Sequence, residues 1–197
     1  LKAEVANIGF PEKGTPQGGI ISPLLSNIVL NELDWWIRSQ WVDVPTSHEY
    51  SGKIHTTGTK DQSKKYRALR KTNLKECYIV RYADDFKIFC RNRKDAERVK
   101  LAVEMWLKER LHLETSPEKS KITNLCRHYS EFLGFKLKLE ERPKQNVIVS
   151  HMSDKAKKKV TAKLRKAIWE AQGNEVKARN LNSTIRGMHN YYCVATR

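Results

Sequence analysis

The sequence predicts an α+β protein in which antiparallel strands are backed by helices and followed by a helical tail. Three observations carry this. Two short runs rich in β-branched and aromatic residues, 77–82 and 86–90, meet at Ala83-Asp84-Asp85 and predict a hairpin with the aspartates at its tip. Two longer stretches, 22–40 and 92–113, repeat apolar residues at intervals of three and four. After Ser153 the composition shifts to basic residues at helical spacing.

Bulk properties narrow the partners. At 197 residues with 39% hydrophobic content the chain can bury a core. The 38 Lys and Arg against 22 Asp and Glu give a formal charge of +16, which attracts a polyanion and makes nucleic acid the first partner to test. No apolar run approaches the roughly 20 residues that span a bilayer, so no membrane role is expected. Cys77, Cys90, Cys126 and Cys193 form no Cys-x-x-Cys half-site, which argues against zinc and predicts reduced, buried thiols in an intracellular protein. The start at Leu1, without Met or signal peptide, reads as an internal cut in a longer protein.

Taken in order, Val5 to Phe10 suggests a strand remnant entering a loop. Gly14-Thr15-Pro16-Gln17-Gly18-Gly19 then lets backbone approach a ligand closely. A helix follows at once, with Ser22 expected at the N-cap and Pro23 at the first helical position. Leu25, Ile28, Val29, Leu33, Trp36 and Ile37 form its core stripe. A glycine-rich turn opening a helix can hold phosphate, although this one is neither a Walker loop nor a Rossmann fingerprint. Gln17 is the turn's one side chain offering both donor and acceptor.

Hydrophobic periodicity disappears from Trp41 to Lys75, and 53–75 carries eight Lys or Arg against the single acid Asp61. This reads as a basic loop or extension. Lys64, Lys65, Arg67 and Arg70, with Tyr50 and Tyr66 nearby, suit a nucleic-acid contact as well as they suit a solvated insertion. Beyond the hairpin, Asn92 and Asp95 are placed to cap a packing helix with Ala96, Val99, Val103, Trp106, Leu107 and Leu111 on one stripe. Ser116 to Lys121 is a turn, and Lys119 there could act as an acid or charge clamp.

Phe132 to Leu139 predicts a half-buried strand that pairs with 146–150, with Gly134 marking a bulge or close backbone approach. Residues 154–179 hold nine Lys or Arg around Val160, Leu164, Ala167 and Ile168. A last helix, from Asn174 to about Tyr192, has Val176, Leu181, Ile185, Met188 and Tyr192 as its apolar positions.

Adjacent aspartates repel, and a sequence needing only a turn would favour Asn-Gly or Asp-Gly. A hard divalent cation relieves the conflict. Mg²⁺ takes oxygen ligands, keeps waters, and uses one or two carboxylates together with substrate phosphates.

The ordered series Thr15-Pro16-Gln17-Gly18-Gly19, Ser22-Pro23-Leu24-Leu25-Ser26-Asn27, Arg81-Tyr82-Ala83-Asp84-Asp85-Phe86, Pro117-Glu118-Lys119 and Phe132-Leu133-Gly134-Phe135 resembles the palm motifs of reverse transcriptases. Its nearest likeness is to those encoded by group II introns, the maturases. Ile185 to Tyr192 is similar to the family's thumb segment, with Met188 where the family usually has Trp.

The resemblance implies a partial palm over 1–152, with a basic insertion at about 43–76, and the start of a helical thumb at 153–197. It implies RNA-templated DNA synthesis by two-metal displacement, with Mg²⁺, or Mn²⁺ in its place. Asp84 and Asp85 would be the catalytic metal ligands, with Lys119 near the leaving pyrophosphate. Thr15, Pro16, Gln17, Gly18, Gly19, Tyr82 and Ala83 would border nucleotide and template. Phe132, Leu133, Gly134 and Phe135 would form the primer grip. Lys155, Lys158, Lys159, Lys163, Arg165 and Lys166 would follow the nucleic-acid backbone.

The implied partners are group II intron RNA, RNA template, DNA primer and dNTPs in the bacterial cytoplasm. The family's further catalytic aspartate belongs upstream of the glycine-rich turn, and neither Asp34 nor Asp43 stands in for it. These 197 residues alone are therefore expected to be inactive. The alternatives are a non-catalytic RNA-binding maturase, or a retron, diversity-generating or CRISPR-associated reverse transcriptase.

Overall fold

A computed structural model of the chain describes residues 21–50, 52–143 and 145–196. The expected strand at Val5 to Phe10 and the glycine-rich turn with Thr15, Pro16, Gln17, Gly18 and Gly19 lie outside the described residues. The fold is α+β, and the chain divides into two compact units between Ser120 and Lys121.

In the first unit, α1 (Ser22–Gln40) carries Pro23 in its opening turn, but the N-cap position belongs to Ile21. Ile21 is already in right-handed helical geometry and has no side-chain oxygen to offer, so Ser22 is not the cap expected of it. Leu30, Leu33 and Ile37 are buried, whereas Leu25, Ile28 and Val29 of the expected stripe are exposed. The core takes up α1 only from Leu30 onward, where β1, α2 and α3 converge on it. Leu33 and Ile37 each contribute roughly 1.5–3 kcal/mol by leaving water.

The basic stretch between the motifs is more integrated than its composition suggests. It contains α2 (Ser63–Leu69), and Leu69 is buried in the core. Trp41, also fully buried, stacks on Tyr66 at 6.0 Å between ring centroids and donates its indole N–H to the Tyr78 hydroxyl at 3.1 Å. Packing thus overrides charge here, because an aromatic cluster fixes the ends of an otherwise polar segment.

Strands β1 (Cys77–Tyr82) and β2 (Asp85–Cys90) pair antiparallel, with Tyr82 opposite Asp85 and Cys77 opposite Cys90. Helix α1 packs on β1, and α3 (Arg93–Leu111) packs on β2. The expected cap of α3 is present: the Asn92 side chain accepts from the Asp95 amide at 2.8 Å, and the Asp95 charge suits the positive end of the helix dipole. Val103 and Leu107 are its buried residues, and Trp106 stacks on Trp36 at 5.2 Å.

The second unit holds a three-stranded antiparallel sheet of β3 (Ser130–Phe132), β4 (Phe135–Glu140) and β5 (Val147–Met152). Phe132 to Leu139 is therefore not one strand. Leu133 and Gly134, at φ 50° and 80°, make a two-residue turn with Phe132 opposite Phe135. Positive φ at both central positions is what lets such a tight turn follow the twist of the strands. Gly134 serves the turn rather than a bulge.

Ser153 is buried and caps α4 (Asp154–Ala171), its hydroxyl accepting from the Ala156 amide at 3.2 Å while its own amide donates to the Gly134 carbonyl at 2.8 Å. The terminal α5 (Glu175–Tyr192) packs along α4 and is capped by Asn174, whose side chain accepts from the Lys177 amide at 3.0 Å. Leu181, Met188 and Tyr192 are half-buried as expected, but Val176 and Ile185 are exposed.

All four cysteines are free, yet Cys126 and Cys193 are exposed, contrary to the expectation that all are buried. Burial pushes the Cys77 thiol up to about 11 and the Cys90 thiol to about 12.

Candidate active site

The β1–β2 turn is built from residues that do not ordinarily make one. Ala83 has φ 53°, a left-handed value that costs a residue with a Cβ about 1 kcal/mol or more. Tyr82, Asp84 and Asp85 are exposed around it, so the tip presents one ring and two carboxylates to solvent.

Arg81 holds this turn from behind. Its Nε donates to both carboxylate oxygens of Asp34 at 3.1 and 3.0 Å, and Nη2 donates to Asp34 Oδ2 at 2.7 Å. Nη1 donates to Asn27 Oδ1 at 2.8 Å and to the Ala83 carbonyl at 2.7 Å. The Arg81 side chain is only 11% exposed, so the pair works in a partly desolvated setting where it is stronger than a surface ion pair.

Arg81, Asp34 and Asn27 were not identified as site residues from sequence. A signal was present. Arg81 is a cation inside an apolar strand, and Asn27 and Asp34 lie seven residues, about two turns, apart on one helix side.

Lys119 is exposed on a separate turn, closed by the Ser120 amide donating to the Ser116 carbonyl at 2.9 Å. Among the basic residues of 64–70, Lys65 donates to the Val42 carbonyl at 2.9 Å, and Arg70 makes a bidentate pair with Glu76 at 2.8 and 2.7 Å. That pair holds the Glu76 carboxyl below the usual carboxylate range. Arg67 is exposed, while Tyr66 is committed to the aromatic cluster.

Within the second unit, Phe132, Leu133, Gly134 and Phe135 are brought together as a hairpin tip. The Tyr191 hydroxyl donates to the Leu133 carbonyl at 2.9 Å, and the Phe135 ring lies 5.7 Å from Tyr191 and 5.4 Å from Tyr192. Lys155, Lys158, Lys159, Lys163, Arg165 and Lys166 are all exposed on α4, together with Trp169, which is 75% exposed and was not anticipated.

No group of three or more His, Cys, Asp and Glu side chains able to hold a metal ion occurs among the described residues. The Asp84 and Asp85 oxygens are nonetheless hard donors of the kind Mg²⁺ takes, with water and substrate phosphate completing its shell. The pair fits an ion shared with a bound nucleotide better than a closed protein cage. No helix among the described residues is long and apolar enough to cross a membrane.

Comparison with known proteins gives this geometry a family. Over 187 residues the chain is 28% identical to Protein YkfC of Escherichia coli, covering 87% of this chain and 46% of that protein. It is 32% identical over 156 residues to the group II intron-encoded protein LtrA of Lactococcus lactis, covering 64% of this chain and 26% of LtrA. It is 28% identical over 155 residues to the putative COX1/OXI3 intron 2 protein of Saccharomyces cerevisiae, covering 66% of this chain and 18% of that protein. The chain thus spans less than half the length of these relatives. Residues 4–137, more than half of the chain, match the family described as reverse transcriptase (RNA-dependent DNA polymerase), and the chain belongs to that family.

Proposed function

We propose that the chain is part of a group II intron-encoded reverse transcriptase that copies RNA into DNA and also binds its intron RNA to assist splicing. The observation that carries this is the rigidly backed Asp84-Asp85 tip, two exposed carboxylates on a pinned turn within a reverse transcriptase sequence. Asp84 and Asp85 would hold Mg²⁺, or Mn²⁺ in its place, and the ion would supply charge neutralisation at the reacting phosphate. The chain's own contribution is placement. The turn fixes the carboxylates, Lys119 offers a mobile positive charge for pyrophosphate, and the Phe132 to Phe135 tip supports the primer strand.

The exposed lysines and arginines of α4 would neutralise phosphates without reading bases. The proposed compartment is the bacterial cytoplasm, with dNTPs, an RNA template and a DNA primer as partners. Two carboxylates are fewer than the chemistry uses, so the 197 residues alone are expected to incorporate no nucleotide.

Template-directed dNTP incorporation by the full-length protein is the test. Asp84→Asn should abolish it while leaving RNA affinity within twofold. A second reading, an RNA-binding maturase whose carboxylates are idle, is favoured by the basic face of α4; splicing assistance without any Asp84-dependent incorporation would select it.

A further inference from the structure

The guanidinium of Arg81 makes five hydrogen-bond contacts to three groups: the carboxylate of Asp34 and the amide oxygen of Asn27, 47 and 54 residues away in sequence, and the carbonyl of neighbouring Ala83. Two of these groups belong to α1 and the third is the left-handed residue of the hairpin turn. We infer that Arg81 is a positioning residue for the Asp84-Asp85 pair, coupling the turn to α1 so that both carboxylates are held where a divalent ion and a nucleotide phosphate must find them. The inference rests on the polymerase reading proposed above and adds a residue to it.

Two physical arguments support it. The first is geometric. The hairpin register asks for a left-handed residue at Ala83, and the Arg81 donor on its carbonyl holds that strained φ of 53° in one orientation, which sets the direction of the next two side chains. Arginine can supply this donor and grip a carboxylate bidentately at the same time, because its planar fork presents five N–H groups in fixed directions. Lysine would have to reach both groups from a single nitrogen and cannot reproduce the planar fork.

The second argument is electrostatic. A bare guanidinium beside two carboxylates would itself occupy their field and compete with a cation. Asp34 answers the Arg81 charge at 2.7 Å, so the tip keeps its net negative potential while the guanidinium remains a structural donor. Arg81 and Asp34 should therefore fail differently. Loss of Arg81 frees the turn, whereas loss of Asp34 leaves a positive charge unanswered behind the metal ligands.

The test uses the full-length protein with two kinds of readout. One is single-nucleotide incorporation on a primed RNA template. The other is independent of catalysis: Mn²⁺ affinity by electron paramagnetic resonance, and amide hydrogen exchange over residues 82–86. Arg81→Lys should lower kcat by about 10- to 100-fold, the scale of a small misplacement of reacting groups. It should leave KM for primer-template unchanged, and it should speed exchange at 82–86 with no change in the rest of the first unit. Asp34→Asn should weaken Mn²⁺ binding more than Arg81→Gln does.

Wild-type kcat and exchange in Arg81→Lys would overturn the inference. So would a fall in kcat accompanied by uniformly faster exchange across the unit, which would mark Arg81 as a general stabilising residue. If wild type itself incorporates nothing, the polymerase reading fails. The clamp is then decided by exchange and Mn²⁺ affinity alone, with unchanged values in Arg81→Lys and Asp34→Asn counting against it.

Discussion

The two hairpin tips of this chain solve one backbone problem in opposite ways. Each is a two-residue turn whose first residue is non-glycine at positive φ, Ala83 at 53° and Leu133 at 50°. In each, a side chain donates to the carbonyl of that residue: Arg81, two residues earlier in the same hairpin, to Ala83 at 2.7 Å, and the distant Tyr191 to Leu133 at 2.9 Å. The difference lies in the second residue of the turn. Gly134 relaxes the second hairpin's turn and lets aromatic rings close over it, whereas the first keeps the carboxylate of Asp84 at the corresponding place. The second residue of the charged turn is not left-handed, so it needs no glycine and can carry a carboxylate, with the strained φ confined to Ala83 beside a partly buried ion pair. The packing turn is left-handed at both positions and places glycine at the second.

That contrast can be broken from either side. The largest effect is expected at Gly134→Ala, since φ 80° disfavours any Cβ and the added carbon would stand 3.3 Å from the Tyr192 hydroxyl and 3.6 Å from the Ala156 Cβ. Chemical denaturation should show a loss of about 1–2 kcal/mol, read from Trp169, the second unit's one tryptophan, in a background with the other four replaced by Phe. Ala83→Gly is the mirror experiment, and a much smaller change is expected. Relief of the left-handed strain and the added freedom of the unfolded chain roughly cancel, leaving stability within about 0.5 kcal/mol of wild type. Equal and large losses at both positions would mean that the two turns are not distinguished in this way.

The smallest effect concerns the charged end of the first hairpin. Arg70 holds the Glu76 carboxyl below its ordinary 4.5 through a direct hydrogen bond, so the folded state binds the proton less readily than the unfolded state does. The stability this provides is present above pH 4.5 and is lost as pH falls through the lowered folded value. Glu76→Gln should flatten the acid limb of a stability-against-pH curve, and an unchanged limb would remove the pair from the account.

Local signals were legible where the chain itself carries them. Asn92 caps α3 because its side chain and the Asp95 amide are three residues apart, and the hairpin follows from two apolar runs around Ala83-Asp84. The features that escaped sequence reasoning depend on partners that are distant along the chain. Leu133 looks like a strand residue until Tyr191 pins its carbonyl, and Leu69 looks like part of a solvated basic loop until the aromatic cluster receives it. The Arg81 clamp spans 47 residues to Asp34, so no window of periodicity contains both ends. The expected N-cap at Ser22 failed for a smaller reason: the helix starts at Ser22 itself, one residue too early for that side chain to cap it.

The cysteines sort by unit as well as by exposure. Cys77 and Cys90 face each other across the base of the first hairpin with thiols raised to about 11 and 12, while Cys126 and Cys193 lie exposed in the second unit. A thiol-specific label at neutral pH therefore marks the second unit and passes over the first, because thiolate is the reactive form. The native chain thus carries its own clock. Slow modification of Cys77 or Cys90 times the opening of the strands that carry the aspartates, with the two exposed thiols in the same molecule as the internal standard.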